Sequence, residues 1–257
     1  HIHDVIPGPG GKPPEFYADA AVVAFKLPAA EQQAEAQHPT ITASGGSLNT
    51  AMLSDGDLEK TTSIAAPAQV GGTSWIQFAY PRPETIHAIT FVTMDPDFVR
   101  AYLSGMSAPE KTLEASDDGQ SWHPVVKLEN SDSPEHTIAF PAVTARYFRV
   151  TFERMPSPPI PDWAAGMNLH AAAPPANPHY DVAELVLHPD PRVNRFEEKA
   201  AFVPAPDLYQ FATPHVDPST AIDKSTVVNL TSKMQPDGAL DWTPPAGPWI
   251  VLRFGYS

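Results

Sequence analysis

The sequence predicts an all-β protein of two β-sandwich domains, one inserted into the other. Proline and glycine are frequent, 31 and 14 of 257 residues, and proline breaks helices by removing an N–H and crowding the preceding turn. The apolar residues fall in short runs bounded by Pro, Gly, Asn and Asp, the pattern of strands joined by turns. The first of these runs, 21–27, is strongly apolar and needs partners, which the closing runs at the far end of the chain supply.

Taken in order, strands are expected at 21–27, 75–78, 86–93, 111–116, 125–128, 136–140, 145–153 and 182–188, with a helical turn at 57–62. Trp75-Ile-Gln-Phe78 alternates as a half-buried strand does, and 145–153 repeats the pattern around Tyr147, Phe148 and Phe152. Between 111–116 and 125–128, Asp118-Gly119 marks a hairpin turn. The ending reads as three further strands: Val227, Val228 and Leu230 form the first, Gln235-Pro236-Asp237-Gly238 turns the chain, Leu240 and Trp242 continue, and 249–254 closes the set.

Composition narrows the function classes. The 16 basic and 30 acidic residues leave a net charge of −14, so nucleic acid and anionic membrane surfaces are disfavoured as partners and neutral sugars are not. With no Cys there is no disulfide framework, thiolate metal site or Cys nucleophile. No apolar run approaches the roughly 20 residues of a membrane-spanning helix. The chain starts at His1 with neither Met nor a signal-peptide core, so a processed chain or an excised fragment is expected.

Two resemblances organise these pieces. The ending "VVNLTSKMQPDGALDWTPPAGPWIVLRFGYS" (227–257) and the opening "EFYADAAVVAFKLP" (15–28) resemble the corresponding segments of the α-L-rhamnosidases of glycoside hydrolase family 106. The segments "SDGDLEKTT", "SWIQFAYPRPETIHAITFV", "ASDDGQSWHPV", "ARYFRVTF" and "VAELVL" come in the order of a discoidin-like domain, also known as the coagulation factor 5/8 type C or galactose-binding-like domain. The resemblance implies a split β-sandwich, 10–36 with 192–257, holding a discoidin-like domain at 40–190. It also implies a parent enzyme that removes terminal α-L-rhamnose with inversion, using two carboxylates and a calcium ion in a catalytic barrel. The barrel would then be the partner of this region, rhamnose-containing glycosides or polysaccharides its ligands, and the periplasm or the outside of a bacterial cell its location. No position here matches the family's catalytic motifs, so no catalytic residue is carried over; Glu110, Glu114, Glu153, Glu184, Glu197 and Glu198 read as solvated strand and loop positions.

Discoidin-like domains often hold a structural calcium, and the resemblance places Asp55, Asp57, Thr61 and Glu184 around it; a plain Asp-Gly turn with Glu184 on the surface is the alternative. The threonine stands one residue later than in the usual loop, with Thr62 beside it. Neutral sugars are held by aromatic platforms and polar groups at loop ends, which nominates Phe98, Arg100 and Tyr102, and Trp163, His170, His179 and Tyr180 in the Pro/Ala-rich stretch 155–181; that stretch serves equally as interdomain packing. Trp75 and Trp122 sit in strand motifs and read as packing, and Arg146 as a structural ion-pair or backbone-bonding residue. His1 with its free amine has the form of a copper chelate, against which a tag remnant or arbitrary cut site is the simpler reading. Three functions follow for testing: a noncatalytic accessory region of an α-L-rhamnosidase, an autonomous carbohydrate-binding module, and a complete small glycosidase.

Overall fold

The computed structural model describes residues 18–28, 37–95, 107–129, 133–157, 179–200, 203, 211–218 and 221–256. They form two compact units, one from residues up to 32 together with those from 217 on, the other from 33–216.

The smaller unit is a three-stranded antiparallel sheet. Its middle strand is β1 (Ala18–Lys26), and its flanking strands, from the end of the chain, are taken up below as β10 (Val228–Asn229) and β11 (Trp249–Tyr256). β1 and β11 run in register from Ala18 opposite Tyr256 to Lys26 opposite Trp249, with one shift between Asp19 and Ala21. Val22 and Ala24 are buried with Leu230, and Met234, Leu240, Trp242 and Trp249 pack over them. The Val22 N–H donates to Thr231 Oγ1 at 3.0 Å and the Leu230 N–H to the Val22 carbonyl at 2.7 Å. Arg253 grips Asp19 with both Nε and Nη2, at 2.6 and 3.1 Å, a forked pairing that fixes β11 against β1. The expected strand through Leu240 and Trp242 shrinks to a single bridge between Met234 and Leu240. Trp242 meets Trp249 edge-on, ring centres 5.4 Å apart, and so serves as a lid on the small core.

The larger unit contains β2 (Thr40–Ala43), β3 (Gly46–Ser47), β4 (Thr62–Ala65), β5 (Thr73–Thr93), β6 (Glu110–Ser116), β7 (His123–Lys127), β8 (His136–Glu153) and β9 (His179–His188). They pair in the order β3-β4-β9-β5-β8-β6-β7, with β2 on the free side of the first part of β5. β5 and β8 are each one long strand where the sequence suggested two. Pro81, Pro83 and Pro141 lack the N–H that a ladder needs, so the sequence reads as if the strands stop there. The ladder instead slips register between Ala79 and Glu84 and between Ile86 and Ala88 and resumes beyond. Such slips bend strands, and the bend folds both halves of β5 onto one core: Ile76, Phe78 and Tyr80 from the first half, Ile86, Ile89 and Phe91 from the second, with Leu113, Phe148, Val150 and Phe152 between.

Shorter features complete the unit. The helical turn expected at 57–62 lies instead at Thr50–Leu53, because Asn49 Oδ1 caps the Ala51 N–H at 3.2 Å. Gly46, at φ +98°, lets β3 lie against β4; a Cβ there would stand 2.7 Å from the Ala65 nitrogen. Residues 193–200 also belong to this unit, whereas the sequence placed everything from 192 on in the split domain. The reason is a set of contacts with β8: Asn194 Oδ1 accepts the Ala139 N–H at 3.1 Å, and Glu197, on the short helix α1 (Phe196–Lys199), accepts both the Thr137 N–H at 2.9 Å and its hydroxyl at 2.6 Å.

Phe148 is wholly buried where the two halves of the bent sheet meet. Phe148→Ala is expected to lower the unfolding free energy of the larger unit by about 3–5 kcal/mol. Chemical denaturation followed by tryptophan fluorescence measures it, and a loss below about 1 kcal/mol would refute the single shared core.

Candidate functional site

The expected sugar-contacting residues divide in two. Phe98, Arg100, Tyr102, Trp163 and His170 lie outside the described residues. His179 and Tyr180 open β9. The Tyr180 ring stacks on Phe152, with centres 5.8 Å apart and planes at 21°, and packs against the core, so one of its faces is spent on packing. His179 Nε2 stands 3.5 Å from Asp181, whose carboxylate also accepts the Ser63 hydroxyl at 2.7 Å.

The four residues expected around calcium are partly assembled. Gly56, at φ +74°, turns its N–H onto Glu184 Oε1 at 2.6 Å, which draws the loop down onto β9. Glu184 is therefore buried and not a surface residue. Asp55 accepts the Asp57 N–H at 2.9 Å. Asp57 is committed elsewhere: it caps the Glu59 and Lys60 N–H groups at 3.1 and 3.3 Å and pairs with the Lys60 ammonium at 2.5 Å. Thr61 sits just ahead of β4, while the neighbouring Thr62 hydroxyl accepts the Asn49 N–H at 2.6 Å. Among the described residues no group of three His, Cys, Asp or Glu side chains stands close enough to hold a metal ion. A hard cation wants six to eight oxygens, so one bound here would take Asp55 and Glu184 together with backbone carbonyls of the loop.

Glu184 faces a cavity of about 360 Å³ on the outer side of the sheet, shared with Ser54, Thr90, Glu135 and His188. Burial, and then the Asp55 charge, push the Glu184 carboxyl above the usual carboxylate range; burial, Glu197 and Glu184 do the same to Glu135. Thr90 Oγ1 bridges His188 Nε2 at 2.8 Å and Thr137 Oγ1 at 2.9 Å, and Thr137 in turn is held by Glu197. Glu197 and Glu198 are both buried, where the sequence suggested solvated positions. Arg195, held at φ +55°, donates to Glu198 at 2.7 Å and stacks on Phe211. No local signal marks these glutamates, since what buries Glu197 is a strand 60 residues earlier. At the root of the 96–106 segment, Lys111 is wholly buried against Asp95, which also accepts the Thr93 hydroxyl at 2.8 Å.

A second concavity, about 510 Å³, lies on the outer face of β6, β7 and β8. Its centre is Arg149, which donates to Glu114 at 2.6 Å while its guanidinium lies 4.1 Å from the Trp122 ring centre. Trp122 is held by the hairpin turn, where Asp118 accepts the Gln120 and Ser121 N–H groups at 2.8 and 2.7 Å and the Ser116 hydroxyl at 3.0 Å; those donors keep its carboxyl well below the usual range.

The described residues thus make an all-β protein built from antiparallel sheets. The α-L-rhamnosidase family profile matches residues 3–257, and the chain belongs to that family, glycoside hydrolase family 106. A rhamnosidase from Novosphingobium sp. PP1Y is 28% identical, with a TM-score of 0.59 over 95% of this chain and 20% of that one. The chain thus spans a fifth of the length of that enzyme. In fold alone it is also similar to a pectin-binding carbohydrate-binding module (19% identity, TM-score 0.36, 58% of this chain and 88% of that one). A family 32 module from Clostridium perfringens, in complex with GalNAc-β-1,3-galactose, is likewise similar (13% identity, TM-score 0.37, 59% and 95%). No curated protein matches the chain.

Burial holds the His136 imidazole, stacked on Phe91, down to a pKa of about 4 from 6.5; Glu198 opposes this, and Arg195 and Lys111 assist it. The folded state thus binds this proton less readily than the unfolded chain. The contribution is complete above pH 6.5 and is lost as pH falls toward about 4, on the order of 3 kcal/mol in all. Glu135 and Glu184, raised instead, act with the opposite sign, so the comparison is between variants. Melting temperatures of His136→Phe are expected to fall less steeply than those of the unsubstituted protein over this window; parallel curves would refute the assignment.

Proposed function

We propose that this chain is a noncatalytic β-sandwich accessory region of an α-L-rhamnosidase, supporting the catalytic barrel and shaping access to it. The observation that carries the reading is the family match over residues 3–257 against a related enzyme of which the aligned part is only 20%. Inverting hydrolysis needs an acid and a base roughly 6.5–9.5 Å apart with a water between them, and the family's catalytic motifs have no counterpart in this sequence. Three of the carboxylates that burial places in the larger unit have structural employment: Glu197 holds Thr137, Glu198 holds Arg195, and Glu184 holds the Gly56 loop. The exposed side chains of the edge strand β11, Val251 at 43%, Leu252 at 40% and Phe254 at 46%, support a neighbouring protein surface as partner.

The test compares this chain with the full-length enzyme on an aryl α-L-rhamnoside. The expected outcome is turnover by the enzyme and none by the chain, with deletion of the region lowering the enzyme's melting temperature or raising its KM. Turnover by the chain alone would overturn the reading.

Calcium belongs to the same reading, as a structural ion on the Gly56 loop held by Asp55 and Glu184. The Asp55 charge is close enough to raise the proton affinity of Glu184, a repulsion that a divalent cation would relieve. Calcium at 100 times its dissociation constant is expected to stabilise the larger unit by about 2.7 kcal/mol, a gain that Glu184→Gln removes. Identical melting curves in excess calcium and in chelator would refute it.

A further inference from the structure

We infer that the concavity on the outer face of β6, β7 and β8 is a binding groove for a neutral saccharide, with the Glu114–Arg149 pair as its recognition element. The inference rests on the accessory reading above for its class of ligand and on the groove itself for its location. Successive residues of a strand point to opposite faces. Leu113, Val150 and Phe152 are wholly buried in the core, so Thr112, Glu114, Arg149, Thr151 and Glu153 project together on the outside, where they line the groove.

Three properties of this wall select a polyhydroxylated, uncharged ligand. The first is charge pairing: Glu114 is paired with Arg149, and Lys127 with Glu110 beside the groove, so in a chain of net charge −14 neither cation of the wall is left over for an anionic ligand. The second is the form of the donors and acceptors. Only the Arg149 Nε reaches Glu114, at 2.6 Å, and both side chains keep about a fifth of their surface open, 23% and 20%. The guanidinium carries five N–H donors and the carboxylate about four lone-pair sites. The pair therefore presents a planar donor edge beside a planar acceptor edge, matched to neighbouring hydroxyl groups on a sugar ring. The third is rigidity. Trp122 backs the guanidinium at 4.1 Å, and Thr151 donates to the Thr112 carbonyl at 3.2 Å, which fixes its hydroxyl with oxygen lone pairs to spare. Pro124 and Val125 supply an apolar wall for the C–H face of a ring. The described residues that line it are other than those nominated from the sequence.

The experiment is a two-dimensional amide NMR titration of the purified chain with L-rhamnose and, separately, with rutinose, a rhamnose-containing disaccharide. Saturable shifts are expected at residues 112–114 and 149–153 and at the Trp122 indole N–H. Glu114→Gln, which keeps the shape and removes the charge, and Thr151→Val, which removes only the hydroxyl, are each expected to weaken binding about tenfold at unchanged melting temperature. Shifts confined to 96–106 or 158–178, full affinity in both variants, or no saturable shift with either sugar would each overturn the proposal. None of those results bears on the accessory role, which the activity comparison with the full-length enzyme decides on its own.

Discussion

The larger unit depends on one ladder, that between β5 and β8. Both strands are too long to lie flat, and both carry prolines at the points where the ladder slips register. The slip costs a few backbone hydrogen bonds at an exposed corner, at Pro81, Arg82 and Pro83. What it permits is larger: one pair of strands contributes to both halves of a core that includes Ile76, Ile89, Phe91, Phe148 and Phe152, all essentially without exposed surface. β2, β6 and β9 then add to edges already in place, and the two concavities are the spaces left on the outer faces of the same ladder.

The buried carboxylates of the larger unit are tied to donors. Glu184, Glu197 and Glu198 are buried, and each meets a hydrogen-bond donor: the Gly56 N–H, Thr137 and Arg195. An unpaired buried carboxylate costs far more than any single contact returns, so these positions are strict about their partners. They tie the loop before β4 and the segment after β9 to strands that sequence separates widely. The groove beyond β6 differs, since Glu114 and Arg149 satisfy each other and remain partly open to solvent.

Much of the fold was legible in alternation. Trp75 to Phe78, Ala145 to Glu153 and the apolar run around Val22 announce strands with one face buried, and the structure buries Ile76, Phe78, Phe148, Phe152, Val22 and Ala24 accordingly. Proline misled in a specific way: it marks a missing N–H, which ends a ladder in one setting and bends it in another, and only the partner strand decides. The short strands β3 and β4 carry too few residues for a period to register. The candidate sites were less legible. Motif order grouped Asp55, Asp57, Thr61 and Glu184, and of that group the structure bonds Glu184 to the Gly56 N–H while Asp57 turns to Lys60. Burial of Glu197 depends on Thr137, and the groove on strands brought together from 112–114 and 149–153, so neither could be seen in any local window.

The pairing of β1 with β11 has a kinetic consequence. Asp19 and Arg253 are 234 residues apart in sequence, and closing a flexible loop of that length costs about 5 kcal/mol. The small core around Val22, Ala24 and Leu230 has little apolar surface with which to offset it. Once residues 33–216 have folded, however, the loop to be closed is no longer a flexible chain, and most of that entropy has already been spent. The three-stranded sheet is therefore expected to form after the larger unit and to open before it. During synthesis, β1 leaves the ribosome before β11 does, and residues 27–248 must follow it before that partner is available.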